Sequence, residues 1–219
     1  MTWVRIPWEA PILFKCFTTS MHFMLMLPPI AVIGENGAGK STFADYVVRK
    51  YPGYRRITMG HLLDDYAREM GMIKPDESLT HMQRTEVGAR VALEYGRDFL
   101  LNGLVRTLEP KKNDYLIEGL RTEAEMSGLN TLFMEHGKKL IFVGTVAEKE
   151  RRYRRLAERE GYDREKFEAR EKKDSRFDIP ALVRRCDHIL ENNSENVDIF
   201  LLTVDKLMAE LIPVPSKTL

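Results

Sequence analysis

The eight residues Gly34-Glu35-Asn36-Gly37-Ala38-Gly39-Lys40-Ser41 constrain this chain more than any other stretch. They fit G-x-x-x-x-G-K-[ST], and their flanks supply the context that such a pattern needs. Before them, Ile30-Ala31-Val32-Ile33 is a short apolar run that reads as a buried strand. After them, Thr42 to Val48 carries helical apolar spacing. Strand, glycine loop and helix in that order aim successive backbone N–H groups and a helix N-terminus at one anion. The pattern therefore predicts a nucleotide polyphosphate held by Gly34, Asn36, Gly37, Ala38, Gly39 and Thr42. Lys40 would reach the β- and γ-phosphates, and the Ser41 hydroxyl would ligate the metal. The cofactors expected on this reading are ATP and Mg²⁺.

Composition narrows the class. In 219 residues, 43% hydrophobic content supports a sizeable core and 31% charged residues a solvated surface. A net charge of +1 gives no reason to expect nucleic acid or a membrane as partner. Cys16 and Cys186 form neither a C-x-x-C pair nor a metal pattern, which fits a reduced, cytoplasmic setting. Ala10 to Leu27 is apolar but interrupted by Lys15, Thr18, Thr19, Ser20 and His22, too polar for a membrane span. No clear signal-peptide cleavage site follows it. Residues 1–28 are read as an N-terminal extension in which Trp3, Val4, Ile6 and Trp8 suit docking on a neighbouring subunit. Residues 29–219 are read as a single domain, in a monomer or a homodimer.

Beyond the loop, short apolar runs alternate with helical spacing. Strands are expected at Tyr54–Thr58, Asp114–Ile117, Leu140–Val143 and Asp187–Leu190. Helices are expected over His61–Met70, Ser78–Tyr95 with Ser78 as cap, Arg97–Leu108, Thr122–His136, Ala147–Glu160 and Val197–Leu211. Such alternation implies an α/β fold with a parallel sheet covered on both faces. Ligands bind at the C-terminal ends of such strands, so Gly34, the Thr58 region, Glu118, Gly144 and Glu191 should share one rim.

Phosphoryl transfer asks for positive charge around a spreading negative charge, with water kept out. Arg151, Arg152, Arg154, Arg155, Arg159, Arg164, Arg170 and Arg176 all fall between the fourth and fifth strands. Arg152, Arg155 and Arg159 have i, i+3, i+7 spacing and share one helical face, as a lid over phosphates would require. A solvated helix paired with Glu148, Glu150, Glu158 and Glu160 is the other way to read that run. Glu118 closes the third strand, placed to hold Mg²⁺ through water, and Arg121 follows a glycine, placed to grip an acceptor. Asp64, Asp65 and Arg68, with Gln83, Arg84 and Arg90, are acceptor-pocket candidates that would serve equally as surface helix. The histidines show no metal-ligand spacing.

The loop with Gly39-Lys40-Ser41-Thr42, the Glu118-Gly119-Leu120-Arg121 turn, the Arg152-Tyr153-x-Arg155-x-x-x-Arg159 helix and the Asp187…Asn192 strand end come in a telling order. From about Ile30 to Leu211 the chain resembles the P-loop nucleoside monophosphate kinase superfamily, in the branch of dephospho-coenzyme A kinases and related nucleotide-kinase-like proteins. The resemblance implies a three-layer P-loop kinase fold: a five-stranded parallel sheet, an acceptor-binding helical insert over about 59–109, and an arginine-rich lid over about 151–176. It also places Asn192 near the adenine. Relatives usually carry Asp where this chain has Glu118, and the His-Pro dipeptide of dephospho-coenzyme A kinases is missing. The expected activity is therefore transfer of the γ-phosphoryl of Mg-ATP to a small phosphate-bearing acceptor, a nucleoside or deoxynucleoside monophosphate ahead of dephospho-coenzyme A. A nucleotide-dependent regulatory ATPase is the alternative of another class.

Overall fold

A computed structural model describes residues 27–96 and 98–212, and the structural statements below concern those residues. Most of the N-terminal extension expected over residues 1–28, and Cys16 with it, lies outside the described residues. In chain order the elements are β1 (Ile30–Gly34), α1 (Lys40–Lys50), β2 (Tyr54–Thr58), α2 (His61–Glu69), α3 (His81–Tyr95), α4 (Phe99–Thr107) and β3 (Asp114–Glu118). They continue with α5 (Glu123–Glu135), β4 (Ile141–Val146), α6 (Lys149–Glu160), α7 (Arg164–Asp174), α8 (Ile179–Val183), β5 (His188–Glu191) and α9 (Val197–Leu211). A single 3-10 turn, Ser175–Phe177, links α7 to α8.

The five strands form one all-parallel sheet in the order β2-β3-β1-β4-β5. β1 lies at the centre, with Ile30 opposite Leu116 of β3 on one side and Ile141 of β4 on the other. The chain turns toward opposite edges from that strand, which opens a crevice at its C-terminal end. Alternation along β1 divides the core. Ile30 and Val32 pack with Phe43, Ala44 and Val47 of α1 and with Phe200, Val204 and Met208 of α9. Ala31 and Ile33 face the other layer, with Leu104 of α4, Met126, Leu129 and Phe133 of α5 and Leu182 of α8. A third, smaller core binds α2 to α3 through Leu63, Ala67, Leu79, Val87 and Val91. No helix among the described residues is long and apolar enough to cross a membrane.

Several boundaries differ from expectation for identifiable reasons. α3 begins at His81 rather than near Ser78, because Thr80 is the cap and exchanges hydrogen bonds with Gln83 in a capping box. β4 runs on to Val146, because Thr145 pairs with Gly34 on one side and Leu190 on the other. The stretch after α6 holds two further helices. Asp163 caps α7 through the Lys166 amide, and Asp178, at a φ of 44°, caps α8 through the Ala181 amide. Asp is one of the few side chains that tolerate that left-handed turn.

Phe133 anchors the α5 layer. Its side chain is fully buried and meets the Tyr115 ring edge-on at 6.2 Å between centroids. Phe133→Ala should destabilise the chain by about 3–5 kcal/mol, read as a shift in the denaturation midpoint with an unchanged slope.

Candidate active site

The loop between β1 and α1 is shaped by positions where only glycine fits. A Cβ on Gly34 would collide with the Thr145 carbonyl and hydroxyl, so the missing side chain lets β1 close on β4. Gly39 has a φ of 110°, and a Cβ there would strike the Asn192 amide. Gly39 also forms the start of α1 without any side-chain cap, so the first amides of that helix remain directed outward, where an anion satisfies them. Lys40 folds back over the loop and donates to the Glu35 carbonyl at 2.9 Å. Its ammonium is withdrawn among protein atoms beside Arg121, and burial first, then that guanidinium, lower its pKa to about 8.

Ser41 and Glu118 come together as expected, the hydroxyl donating to Oε2 at 3.2 Å. Glu118 is buried at the end of β3 and also accepts from Thr58 Oγ1 at 2.7 Å and Arg56 Nε at 2.9 Å. This group fits Mg²⁺. The hydroxyl and carboxylate oxygens converge beside the loop, and Mg²⁺ is commonly held by one or two such groups, water and the phosphates of its substrate. Arg56 was not singled out from the sequence. It shares a face of β2 with Thr58, two residues on, which is the one signal that could have marked it.

The three arginines of α6 share a face, yet they do different things. Arg152 is 4% exposed and is clamped by Glu171 of α7 at 2.8 and 2.7 Å and by Glu35 at 3.1 Å. It was one of three candidates for reaching the transferring phosphoryl; here its guanidinium is committed to carboxylates behind the loop and takes no part in lining the main cavity. Arg155 donates to the Gly37 carbonyl at 3.1 Å and to the Asn192 and Ser194 carbonyls at 2.8 and 3.1 Å, so it ties the loop to the end of β5. Burial lowers its pKa. Arg159 is 62% exposed, pairs with Glu160 and reaches the cavity wall. Asn192 is buried and donates to the Ala38 carbonyl at 3.1 Å, a loop brace. Asn36 donates to Asp174.

Arg121 faces the cavity, paired to Asp174 at 3.1 Å and stacked 5.3 Å from the centre of the Phe177 ring. Arg170 and Arg176 also line the wall. Asp174 went unremarked in the sequence, where nothing distinguishes it from the other acids of α7.

Among the acceptor-pocket candidates, Asp64 is buried and takes Arg84 in a two-point grip, at 2.9 and 2.6 Å. Arg84 lines the cavity. Asp65 and Arg68 instead pair with each other at 2.7 Å on α2, outside the cavity lining, and Arg90 is exposed on α3, also outside it. Gln83 is spent on the α3 cap.

The cavity these residues enclose holds about 1350 Å³ and runs from the loop, past Glu118 and Arg121, to an apolar wall of Leu63, Val91, Phe99 and Leu100. Among the described residues no cluster of three or more His, Cys, Asp or Glu side chains forms a metal site of its own.

Comparison with known proteins agrees with this geometry. A UPF0200 protein of Pyrobaculum aerophilum is 26% identical over 190 residues, covering 85% of this chain and 99% of that protein. A UPF0200 protein of Thermococcus gammatolerans is 27% identical over 171 residues, covering 75% and 85%. The solved structure of shikimate kinase from Acinetobacter baumannii, in complex with shikimate, superposes with a TM-score of 0.55 at 16% identity, covering 85% of this chain and 96% of its own. That likeness shows the P-loop kinase fold. The family model AAA_18, an AAA domain, matches residues 30–176, and the chain belongs to that family.

Proposed function

We propose that this chain is an ATP-dependent phosphotransferase that moves the γ-phosphoryl of Mg-ATP to a small phosphate-bearing acceptor. A nucleoside or deoxynucleoside monophosphate is the first choice and dephospho-coenzyme A the second. One observation carries the reading. The loop and the acceptor-side residues Arg56, Arg84 and Arg121 open on a single cavity of about 1350 Å³. That is larger than one ligand ordinarily needs, about 300–1,000 Å³, and suits a donor and an acceptor together.

Glu118 and Glu125, the two buried carboxylates that line that cavity, are already engaged, which suits an acceptor that brings its own oxyanion. A hydroxyl acceptor wants a general base with a free lone pair. Glu118 is taken by Ser41, Thr58 and Arg56, Glu125 by the Arg121 and Thr122 amides at 2.6 and 3.0 Å, and Glu123 by Arg185. Asp64 is spent on Arg84. A phosphate oxygen needs no base, only positioning and charge.

The chain's own residues then have distinct tasks. The loop amides and Lys40 hold the β- and γ-phosphates. Arg155 and Asn192 keep the loop in shape from β5. Arg84 and Arg121 stand where an acceptor phosphate would enter, and Arg159, Arg170 and Arg176 close the wall on the lid side, excluding water. Mg²⁺, held by Ser41 and through water by Glu118, would neutralise charge between the two terminal phosphates.

Turnover of Mg-ATP with a panel of nucleoside monophosphates and dephospho-coenzyme A tests the assignment. ADP should form only when an acceptor is present; hydrolysis indifferent to acceptor would instead indicate a regulatory ATPase. Lys40→Ala should lower transfer by at least about a hundredfold with the thermal transition intact. A variant that keeps most of its activity would sink the assignment.

Lys40 also predicts a pH dependence. Bound phosphate favours the ammonium, whereas the free protein loses that proton above a pKa of about 8. Binding above pH 8 must therefore take up a proton, and Mg-ATP affinity should fall as pH rises, by at most about tenfold per unit. Stability runs the other way. The folded pKa of about 8 lies below the ordinary 10.5, so the nucleotide-free protein should gain stability as pH rises between those values. Calorimetric titrations and melting curves from pH 7 to about 9.5 check both signs.

A further inference from the structure

Asp174, the last residue of α7, stands behind the main cavity instead of in its wall. It lines an adjoining cavity of about 360 Å³, with Glu35, Asn36, Lys40, Arg121 and Glu171 around it. From there its carboxylate serves three elements. Oδ2 accepts from the Asn36 amide of the loop, and Oδ1 accepts from Arg121 Nη1 of the turn after β3 at 3.1 Å. Oδ2 also lies 4.0 Å from Nε of Arg170, one helical turn earlier on α7.

Arg170 is held at its far end, where Nη1 donates to the Tyr162 hydroxyl at 3.0 Å and to Glu160 at 3.2 Å. Its Nε is one of two buried side-chain polar atoms without a hydrogen-bond partner among the described residues. A buried N–H of that kind is costly, and Asp174 stands only about 1 Å beyond hydrogen-bond reach. Both guanidiniums face the main cavity while the carboxylate that joins them does not. Like charges side by side beside Lys40 would repel one another, and a carboxylate behind them offsets that repulsion without confronting the phosphate.

We infer that Asp174 is a positioning residue. It holds Arg121 of the acceptor side and Arg170 of the lid as one pair facing the transferring phosphoryl group, and it is keyed to the nucleotide loop through Asn36. The task of the pair rests on the kinase reading above; the holding does not. Because both residues lie on α7, a small side-chain adjustment of Arg170 within that helix completes its bond to a carboxylate already fixed by Asn36 and Arg121.

Asp174→Asn separates these roles, because the amide oxygen can still accept from Asn36 while the charge that holds two guanidiniums is lost. Asp174→Glu restores the charge. The first measurement is kcat, with the acceptor identified by the panel, beside the Kd for Mg-ATP and the melting temperature. The second is the side-chain guanidinium N–H resonances, Nη1–H of Arg121 and Nε–H of Arg170, in the nucleotide-loaded protein. Asp174→Asn should lower kcat by about tenfold to a hundredfold with the Kd changed less than about threefold, and Asp174→Glu should recover part of the loss. Both guanidinium resonances should shift in Asp174→Asn. An unchanged kcat, or a loss matched in full by the Kd and the melting temperature, overturns the inference. If the wild type transfers to no acceptor, the kinase reading fails by itself, and the resonances still decide: unmoved signals in Asp174→Asn refute the holding, and moved signals support it.

Discussion

Lys40 places a half-buried ammonium against the loop, and a cation partly withdrawn from water is tolerated only where acceptors and counter-charges surround it. Much of the site follows from that demand. The Glu35 carbonyl takes the ammonium directly, and Glu118 and Asp174 offset it from either side. Each of those acids in turn needs a partner: Arg56 for Glu118, Arg121 for Asp174. Positive and negative groups therefore alternate outward from the loop. The centre stays positive enough to receive a polyphosphate, while the surrounding carboxylates keep the empty site from flying apart.

The same alternation docks α6 and α7 on the loop. Arg152 lies between Glu171 of α7 and Glu35 of the loop, and its guanidinium also lies 5.8 Å from the centre of the Phe167 ring. A buried ion pair of this kind adds little net stability, since desolvation consumes most of the attraction. What it supplies is register. Only one placement of α6 and α7 on the loop satisfies all three charged groups, so the wall formed by Arg159, Arg170 and Arg176 can take one position over the cavity. Glu35 shows the strain in this arrangement: burial lifts its pKa even though Arg152 opposes the shift.

Local signals in the sequence carried a good part of this. The loop, β2 and the limits of α9 were legible because each is decided by neighbours in the chain: glycines, the Pro52-Gly53 turn, amphipathic spacing. The five-stranded parallel sheet followed from the alternation of strands and helices. Partnerships across the chain were not legible. Helical spacing put Arg152 and Arg159 on one face, but it could not show that Glu171 lies opposite the first and solvent opposite the second. Asp64 and Arg84 read equally as acceptor pocket or surface helix, because their pairing depends on how α2 meets α3. Asp65 and Arg68 read the same way, and they are indeed an ordinary pair within one helix. Asp174 offered no pattern, since its neighbours Asn36 and Arg121 are far away in sequence and come near it only through the packing of α7 on the loop.

The braces on the loop have one more consequence. Asn192 reaches the Ala38 carbonyl across 154 positions of the chain, and Arg155 joins the Gly37 carbonyl to the same strand end. The residues that match the motif are thus finished by residues made long afterwards. A ribosome that has released α1 and the first three strands has produced the whole signature but not the geometry that makes it useful. Tight nucleotide capture is accordingly a late event in synthesis, switched on when β5 slides in beside β4.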